Sequence, residues 1–173
     1  MKLHRISQGV NKIPLALLML TASGSDIGKP APDFSLKDAS GATVKLSAYK
    51  GKPVLLDFWA TECGGCKIEI PWFMEFAHSY KDLTVIGVSM DILYEDLRDA
   101  KEAWRRVKPF IALHQLNYPI LMGDDRVTKI YGVDSLPMTL LIDRTGKIAQ
   151  VHVGLPKGGK EEFRQEIEAA LAR

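Results

Sequence analysis

The residues best suited to chemistry are Cys63 and Cys66, the two cysteines of the chain. A disulfide between them would close a ring of four residues, and so short a loop adds little stability. Cys63 falls where a predicted strand ends and a helix begins, so free backbone N–H groups and the helix dipole favour its thiolate. The spacing puts Cys66 in the first helical turn, within reach of a mixed disulfide at Cys63. The pair therefore predicts a redox couple with Cys63 as the nucleophile and Cys66 as the resolving thiol.

Two other uses of the cysteine pair stay open. Both thiols could be buried and structural, although structural thiols need no such placement. A metal site with two thiolates needs two further ligands, and none lies close in the sequence, so we expect no metal. His78, His114 and His152 fall on different predicted elements, and we expect each to be a surface or hydrogen-bonded histidine.

The elements that must position the pair alternate between strands and helices. A nearly continuous apolar run, residues 54–59, is interrupted only by Asp57 and predicts a strand buried on both faces just before Cys63. Periodic apolar residues predict a helix over 67–80 and another over 96–113 that Pro109 bends or breaks. The remaining predicted elements are a short edge hairpin at 34–36 and 43–46, strands at 83–90, 118–122, 139–142 and 148–153, a short helix ended by Gly132, and a C-terminal amphipathic helix. This order predicts an α/β fold with parallel and antiparallel strands in one sheet.

Composition and charge restrict the function classes. A chain of 173 residues with 46% hydrophobic residues fits one domain with a sizeable core. The formal charge is +2 and no block of like charges stands out, which argues against a nucleic-acid partner.

The N-terminus has the layout of a signal peptide. A basic stretch precedes the apolar run from Ile13 to Leu20, and small residues follow it. The run is too short to span a bilayer as a helix. We therefore expect residues 1–24 to be a signal-peptide-like segment, residues 25–173 to be the domain, and the protein to lie in the periplasm or cell envelope. An unstructured extension on a cytosolic protein is the alternative, and whether the segment is cleaved stays open.

The chain resembles the thioredoxin superfamily and, within it, the exported thiol-disulfide oxidoreductases of the TlpA and ResA type. The resemblance covers about residue 28 to the C-terminus. It rests on the run VLLDFWATECGGC at 54–66, on Glu69 and Pro71 after it, and on GVDSLP at 132–137 before a strand. The opening APDF at 31–34 is also typical of the family. The fold that this implies is a central mixed sheet flanked by helices, with an N-terminal β-hairpin and an extra helix and strand, supplied here by residues 96–122.

The resemblance also implies roles for residues around the pair. Pro137 is expected to be cis and to face the cysteines, while the backbone of Leu136 pairs with an extended stretch of the substrate. Asp57 matches the buried acid that thioredoxins place behind the pair, so it is expected to have a raised pKa and to exchange a proton with Cys66. Glu69 aligns with an acid proposed to tune the cysteine pKa values. The alternatives are a purely structural Asp57 and a solvated Glu69.

Two departures from the family pattern bear on the direction of electron flow. Glu62 stands where the family usually has Trp, and Gly65 replaces the usual Pro inside the pair. Glu62 opposes thiolate formation at Cys63, and Gly64-Gly65 supplies no cation that would stabilise a thiolate. A less stabilised reduced form means a more reducing couple, which favours a reductase over an oxidase.

We therefore predict a thiol-disulfide oxidoreductase that reduces disulfides in exported proteins, with apocytochrome c as one possible substrate class. No cofactor is expected beyond the redox-active disulfide itself. An upstream dithiol donor, plausibly a membrane protein, must re-reduce the pair. One alternative is a peroxiredoxin-type thiol peroxidase. Those enzymes have a Thr three residues before their reactive Cys, whereas Thr61 lies two residues before Cys63. The other is a copper-binding module of thioredoxin fold that uses both cysteines and His114 or His152.

Overall fold

The computed structural model describes residues 26–173, so the predicted signal-peptide-like segment, residues 1–24, lies outside the described residues. In chain order the elements are β1 (Ser35–Asp38), β2 (Thr43–Lys45), a 3₁₀ turn (Leu46–Tyr49), β3 (Val54–Trp59), α1 (Gly64–Ser79), β4 (Thr84–Ser89), α2 (Asp91–Tyr94), α3 (Ala100–His114), β5 (Ile120–Met122), α4 (Asp125–Tyr131), β6 (Met138–Ile142), β7 (Ile148–Val153) and α5 (Gly159–Leu171). The predicted strands and the four longest helices are confirmed, with shifts at their ends.

One mixed sheet joins all the strands in the order β2-β1-β5-β4-β3-β6-β7. Strands β3, β4 and β5 run parallel to one another. Strand β6 runs antiparallel to both of its neighbours, β3 and β7. The N-terminal hairpin forms one edge because β1 pairs antiparallel with β5. The predicted insertion is thus α3 followed by β5, and β5 joins the hairpin to the central strands. The predicted fold class is confirmed.

Helices cover both faces of the sheet and enclose two apolar layers. Helices α1, α3 and α5 pack on one face through residues such as Phe73, Val107 and Phe163. Helix α4 and the 3₁₀ turn pack on the other, through residues such as Tyr131 and Leu46. Strand β3 is buried along its whole length, as its apolar run predicted, because helices cover both of its faces. Its end, where Cys63 follows, is therefore fixed by the rigid centre of the molecule.

Helix boundaries differ from the prediction where side-chain caps decide them. Helix α1 begins at Gly64, three residues before the predicted start, because Cys63 caps it. Helix α3 begins at Ala100 because the Asp99 carboxylate accepts a hydrogen bond from Glu102 N at 2.8 Å. Pro109 does not break this helix, which continues to His114. Helix α4 ends as predicted at Gly132, whose φ of 63° suits glycine.

None of the helices between residues 26 and 173 combines the length and the apolarity needed to cross a bilayer.

Candidate active site

The two cysteines form a disulfide at the junction of β3 and α1. Their Cα atoms lie 5.3 Å apart. Cys63 is the N-cap residue of α1, and its sulfur accepts a hydrogen bond from Cys66 N at 3.1 Å. Both residues are almost fully buried, with 2% of Cys63 and 1% of Cys66 exposed. The predicted placement beside free N–H groups at a helix start is therefore confirmed, in an oxidised and shielded form of the pair.

Pro137 packs directly against the cysteine-bearing turn. The Leu136–Pro137 peptide bond is cis, as the resemblance implied. A Cβ atom added to Gly65 would lie 2.9 Å from Pro137 Cδ, closer than side chains tolerate, so a side chain at position 65 would force one of the two residues to shift. Leu136 is half-buried beside the pair, and the preceding Ser135 and Asp134 are exposed. The loop thus offers a partly accessible surface next to Cys63 and Cys66.

Two carboxyl groups are buried near the pair. Asp57 is 1% exposed on β3, and Glu69 is 1% exposed on α1, one turn after Cys66. Desolvation, and secondarily the charge of Glu69, raises the pKa of Asp57 well above its usual value. Desolvation raises the pKa of Glu69 from 4.5 to about 8, against a weaker opposite effect of a hydrogen bond from Thr139. Burial thus favours the protonated form of both carboxyl groups, and Glu69 is not a solvated helix carboxylate.

The surroundings of these carboxyl groups are polar but poorly hydrogen-bonded. Thr139 Oγ1 donates to Glu69 Oε2 at 3.5 Å. Within residues 26–173, no hydrogen-bond partner is found for either Asp57 carboxylate oxygen, Glu69 Oε1, Trp59 Nε1 or the Tyr118 hydroxyl, all of them buried. Sequence reasoning missed Tyr118, which we placed at a strand start. The available signal was Gly87 inside the buried strand β4, because an interior glycine often marks a close approach by another group.

A further buried carboxylate, that of Asp91, fixes the loop that leads to Cys63. Asp91 accepts hydrogen bonds from the backbone N–H of Thr61 at 3.2 Å and from Ser89 Oγ at 2.8 Å, and also from the Thr61 hydroxyl. Sequence reasoning missed this network too. Because it ties the chain after β3 to the end of β4, it holds the residues just before Cys63 in one conformation.

Glu62 is exposed and close to one cation. Lys67 Nζ lies 3.5 Å from Glu62 Oε2, and the two side chains are 44% and 62% exposed. At this exposure solvent screens both charges, so the effect of Glu62 on Cys63 is partly offset and small.

Within residues 26–173, the histidines do not join the cysteines in a grouping with metal-ligand spacing. Among residues 26–173, one grouping of three side chains has spacing suitable for a metal ion, and it consists of His152, Glu162 and Glu166. His152 Nε2 lies 2.8 Å from a Glu166 oxygen, and Glu162 accepts a hydrogen bond from Gly158 N. The grouping contains neither cysteine, so this arrangement gives the copper-binding alternative no geometric support.

Comparison with known proteins places this geometry in a family. The model of the AhpC/TSA family matches residues 27–151. The chain belongs to this family. It is 36% identical over 146 residues to the thioredoxin-like protein YneN of Bacillus subtilis strain 168, covering 84% of this chain and 81% of that protein. It is 33% identical over 149 residues to the thiol-disulfide oxidoreductase ResA of Bacillus thuringiensis subsp. konkukian, covering 86% of this chain and 78% of that protein.

Solved structures agree with this membership. A candidate thiol:disulfide interchange protein DsbE from Chlorobium tepidum superposes with a TM-score of 0.72 at 35% identity, covering 84% of this chain and 98% of that chain. The pneumococcal exposed lipoprotein thioredoxin Etrx1 of Streptococcus pneumoniae gives a TM-score of 0.68 at 30% identity, covering 80% and 99%. With its Cys63–Cys66 pair, this AhpC/TSA family member is a thiol-disulfide oxidoreductase of the ResA-like kind. The family implies disulfide-containing proteins as its substrates.

Proposed function

We propose that this oxidoreductase works as a reductase of disulfides in exported proteins. The observation that carries the proposal is the acidic surrounding of the pair. Asp57 is buried on the strand that leads to Cys63, Glu69 is buried one helical turn after Cys66, and Glu62 precedes the pair, while Cys63 Sγ accepts a hydrogen bond from the backbone N–H of Cys66. None of these groups supplies a positive charge that would stabilise a thiolate, so the reduced form of the couple gains little extra stability. Such a couple gives its electrons away readily.

The proposed reaction is a two-electron exchange in two steps. The Cys63 thiolate attacks one sulfur of the substrate disulfide, and the other sulfur leaves as a thiolate. The Cys66 thiol then passes its proton to the carboxylate of Asp57 or Glu69, and the new Cys66 thiolate attacks Cys63 Sγ. This step forms the Cys63–Cys66 disulfide and releases the second substrate thiolate. The substrate is reduced by two electrons and the pair is oxidised by two.

In this proposal the loop at Leu136 and Pro137 holds the substrate. Its half-buried surface lies against the turn that carries the cysteines, so an extended substrate segment bound there would present its sulfur to Cys63. The disulfide is the redox group, and no further cofactor enters the reaction. A dithiol donor, which we propose to be a membrane protein, re-reduces the pair after each turnover.

Export and the substrate class are the finer parts of the proposal. The signal-peptide-like residues 1–24 support export, and so does the similarity to a pneumococcal thioredoxin described as an exposed lipoprotein. Oxidised apocytochrome c, with its CxxCH haem-attachment sequence, is the substrate class we place first.

The peroxidase alternative receives no support from the position of Thr61. The Thr61 hydroxyl donates its hydrogen bond to the buried Asp91, so it is engaged away from any peroxide bound at Cys63. We therefore keep disulfide reduction as the function.

The test compares two substrates of the pre-reduced protein. One is a peptide with an oxidised CxxCH sequence, and the other has the same residues in scrambled order around the disulfide. We expect both to be reduced, the CxxCH peptide with the higher kcat/KM, and we expect Cys66→Ser to accumulate a mixed disulfide through Cys63. Equal kcat/KM values would remove the cytochrome assignment. A mixed disulfide through Cys66 in Cys63→Ser, with none in Cys66→Ser, would reverse the assigned roles.

Export has its own test. The mature N-terminus of the protein from a cell-envelope fraction is read by mass spectrometry. Recovery in the envelope supports export, whereas recovery of the intact chain in the cytosol alone contradicts it.

A further inference from the structure

Tyr118 is a buried titratable residue that the reaction above does not use. Tyr118 is 7% exposed, it lies just before β5, and its hydroxyl has no hydrogen-bond partner among the described residues. Buried hydroxyl groups in folded proteins are almost always hydrogen-bonded, to protein or to ordered water. A lone phenol in this position therefore needs an explanation.

A glycine in β4 lets Tyr118 approach the cross-strand neighbour of Asp57. Asp57 pairs in register with Gly87 on β4, and Gly87 pairs with Ile120 on β5. A Cβ atom added to Gly87 would lie 2.9 Å from Trp59 Nε1 and 3.1 Å from Tyr118 Cε2. The Tyr118 ring and the Trp59 indole thus both lie close to Gly87, the β4 residue between Asp57 on β3 and Ile120 on β5. A side chain at position 87 would block this approach.

Electrostatics place the same groups in one cluster. Desolvation raises the pKa of Tyr118 well above its usual value, and the charges of Asp57 and Glu69 raise it further. The phenol therefore keeps its proton and can act as a hydrogen-bond donor towards either carboxylate. Trp59 Nε1 is also a donor without a partner in the described part of the chain, whereas the Asp57 oxygens and Glu69 Oε1 are unmatched acceptors.

The geometry points to Tyr118 as a positioning residue of the proton site, with its hydroxyl hydrogen-bonded through one buried water to the carboxyl groups of Asp57 and Glu69. A buried water needs two to four polar partners, and the unmatched groups supply two donors and acceptors on two carboxyl groups. The bond donated by Tyr118 stabilises the carboxylate form. It therefore keeps Asp57 and Glu69 able to accept the Cys66 proton, although burial favours their neutral acid forms. This role rests on the proposed function for its kinetic consequence, although not for the titration itself.

Other titratable groups packed around the cluster are engaged elsewhere. On β7, His152 pairs in register with Thr139 of β6, and its ring nitrogen contacts Glu166. On the α3 side, the His114 ring stacks on Phe110, with centroids 4.2 Å apart. Asp91 is hydrogen-bonded to Thr61 and Ser89. Cys63 and Cys66, at the start of α1, form the disulfide and do not titrate in the oxidised protein. The titratable groups that interact with one another are therefore Asp57, Glu69 and Tyr118.

The test is a titration of the oxidised protein, followed through the side-chain carboxyl ¹³C signals of Asp57 and Glu69. Tyr118→Phe removes one oxygen and keeps the ring. We expect it to raise the proton affinity of the carboxyl pair about tenfold, moving the midpoint of the first deprotonation up by about one pH unit. Tyr131→Phe is the matched control, because Tyr131 is also buried but donates to Pro32 O on the other face of the sheet. It should leave the midpoint in place even if it lowers the melting temperature.

Two further readouts separate the outcomes. In the pre-reduced protein, the pH midpoint of the Cys66 resolving step should move up in Tyr118→Phe, with about a tenfold slower step at neutral pH. If the protein does not reduce disulfides at all, the proposed function fails while the ¹³C titration still decides the role of Tyr118. An unchanged ¹³C midpoint in Tyr118→Phe overturns the inference.

The wild-type protein gives a check that does not depend on the folding of any variant. A long-lived water should give a magnetisation-transfer signal to the Trp59 indole N–H. The lack of any such signal to Trp59 or Tyr118 would also overturn the inference.

Discussion

Replacing Glu69 with glutamine removes a titrating group from the core and keeps its shape. Burial raises the pKa of Glu69 from 4.5 to about 8, so the folded oxidised protein binds this proton more tightly than the unfolded chain does. The contribution of Glu69 to stability is then complete below about pH 4.5 and is lost as the pH rises through about 8. One pH unit is worth about 1.4 kcal/mol, so the wild-type loss across this window is roughly 4 to 5 kcal/mol.

The assay is guanidinium unfolding of the oxidised protein between pH 5 and pH 9. We expect the free energy of unfolding to fall with pH in the wild type and much less in Glu69→Gln, where the remaining slope comes from Asp57. Glu161→Gln is the control, because the Glu161 side chain is 62% exposed and its removal should leave the wild-type slope. If Glu69→Gln keeps the full wild-type slope, Glu69 does not titrate in this window and the proton role assigned to it is wrong.

Three further changes test separate parts of the site. Gly65→Ala should destabilise the oxidised protein by about 1 to 3 kcal/mol and slow substrate reduction, because its Cβ would meet Pro137 Cδ at 2.9 Å. Gly64→Ala is the control and should have neither effect, because no atom lies within 4 Å of its added Cβ. Equal thermal unfolding of the two variants would contradict this prediction. Asp91→Ala should lower the free energy of unfolding in denaturant by about 2 to 4 kcal/mol, because it leaves the buried Thr61 and Ser89 groups without their acceptor. A loss below about 0.5 kcal/mol would show that the network does not fix the loop. Glu62→Gln should raise the reduction potential by less than about 30 mV in glutathione buffers, because Glu62 is exposed and lies near Lys67, and a decrease would contradict the assigned sign.

The sequence was most informative where local rules and burial agree. The apolar run of β3 predicted a strand buried on both faces, and the spacing of Cys63 and Cys66 predicted a pair at the following helix start. Gly132 was predicted to end α4, and the cis peptide at Pro137 came from the family resemblance. In each case a short segment carries the whole signal, so no distant residue had to be known.

The burial of Glu69 could not be read from the sequence. A glutamate three residues after Cys66 on a helix fits a solvated face as well as a buried one, and the choice depends on what packs there. Here Glu69 faces the sheet, where it accepts a hydrogen bond from Thr139 on β6 and its charge acts on Asp57 of β3. The pKa values follow from that packing.

Tyr118 and the network around Asp91 depend on contacts between distant segments. Tyr118 is 61 residues from Asp57 in the chain, and only the strand register brings both to Gly87. Asp91 is 30 residues from Thr61. The sequence does show polar residues just beyond strand ends, Thr61 and Asp91, and a glycine inside a buried strand, Gly87. These signals indicate that a contact exists, but they do not identify the residue on the other side of it.

The most direct test of the account is the reduction potential of the Cys63–Cys66 couple. The purified protein is equilibrated with graded dithiol and glutathione buffers, and free thiols are counted by mass-shifting alkylation. A reductase with acids around its dithiol should have a potential near or below about −250 mV, in the range of thioredoxin. A value between about −120 and −180 mV would belong to an oxidant or an isomerase, and it would contradict the proposed direction of electron flow.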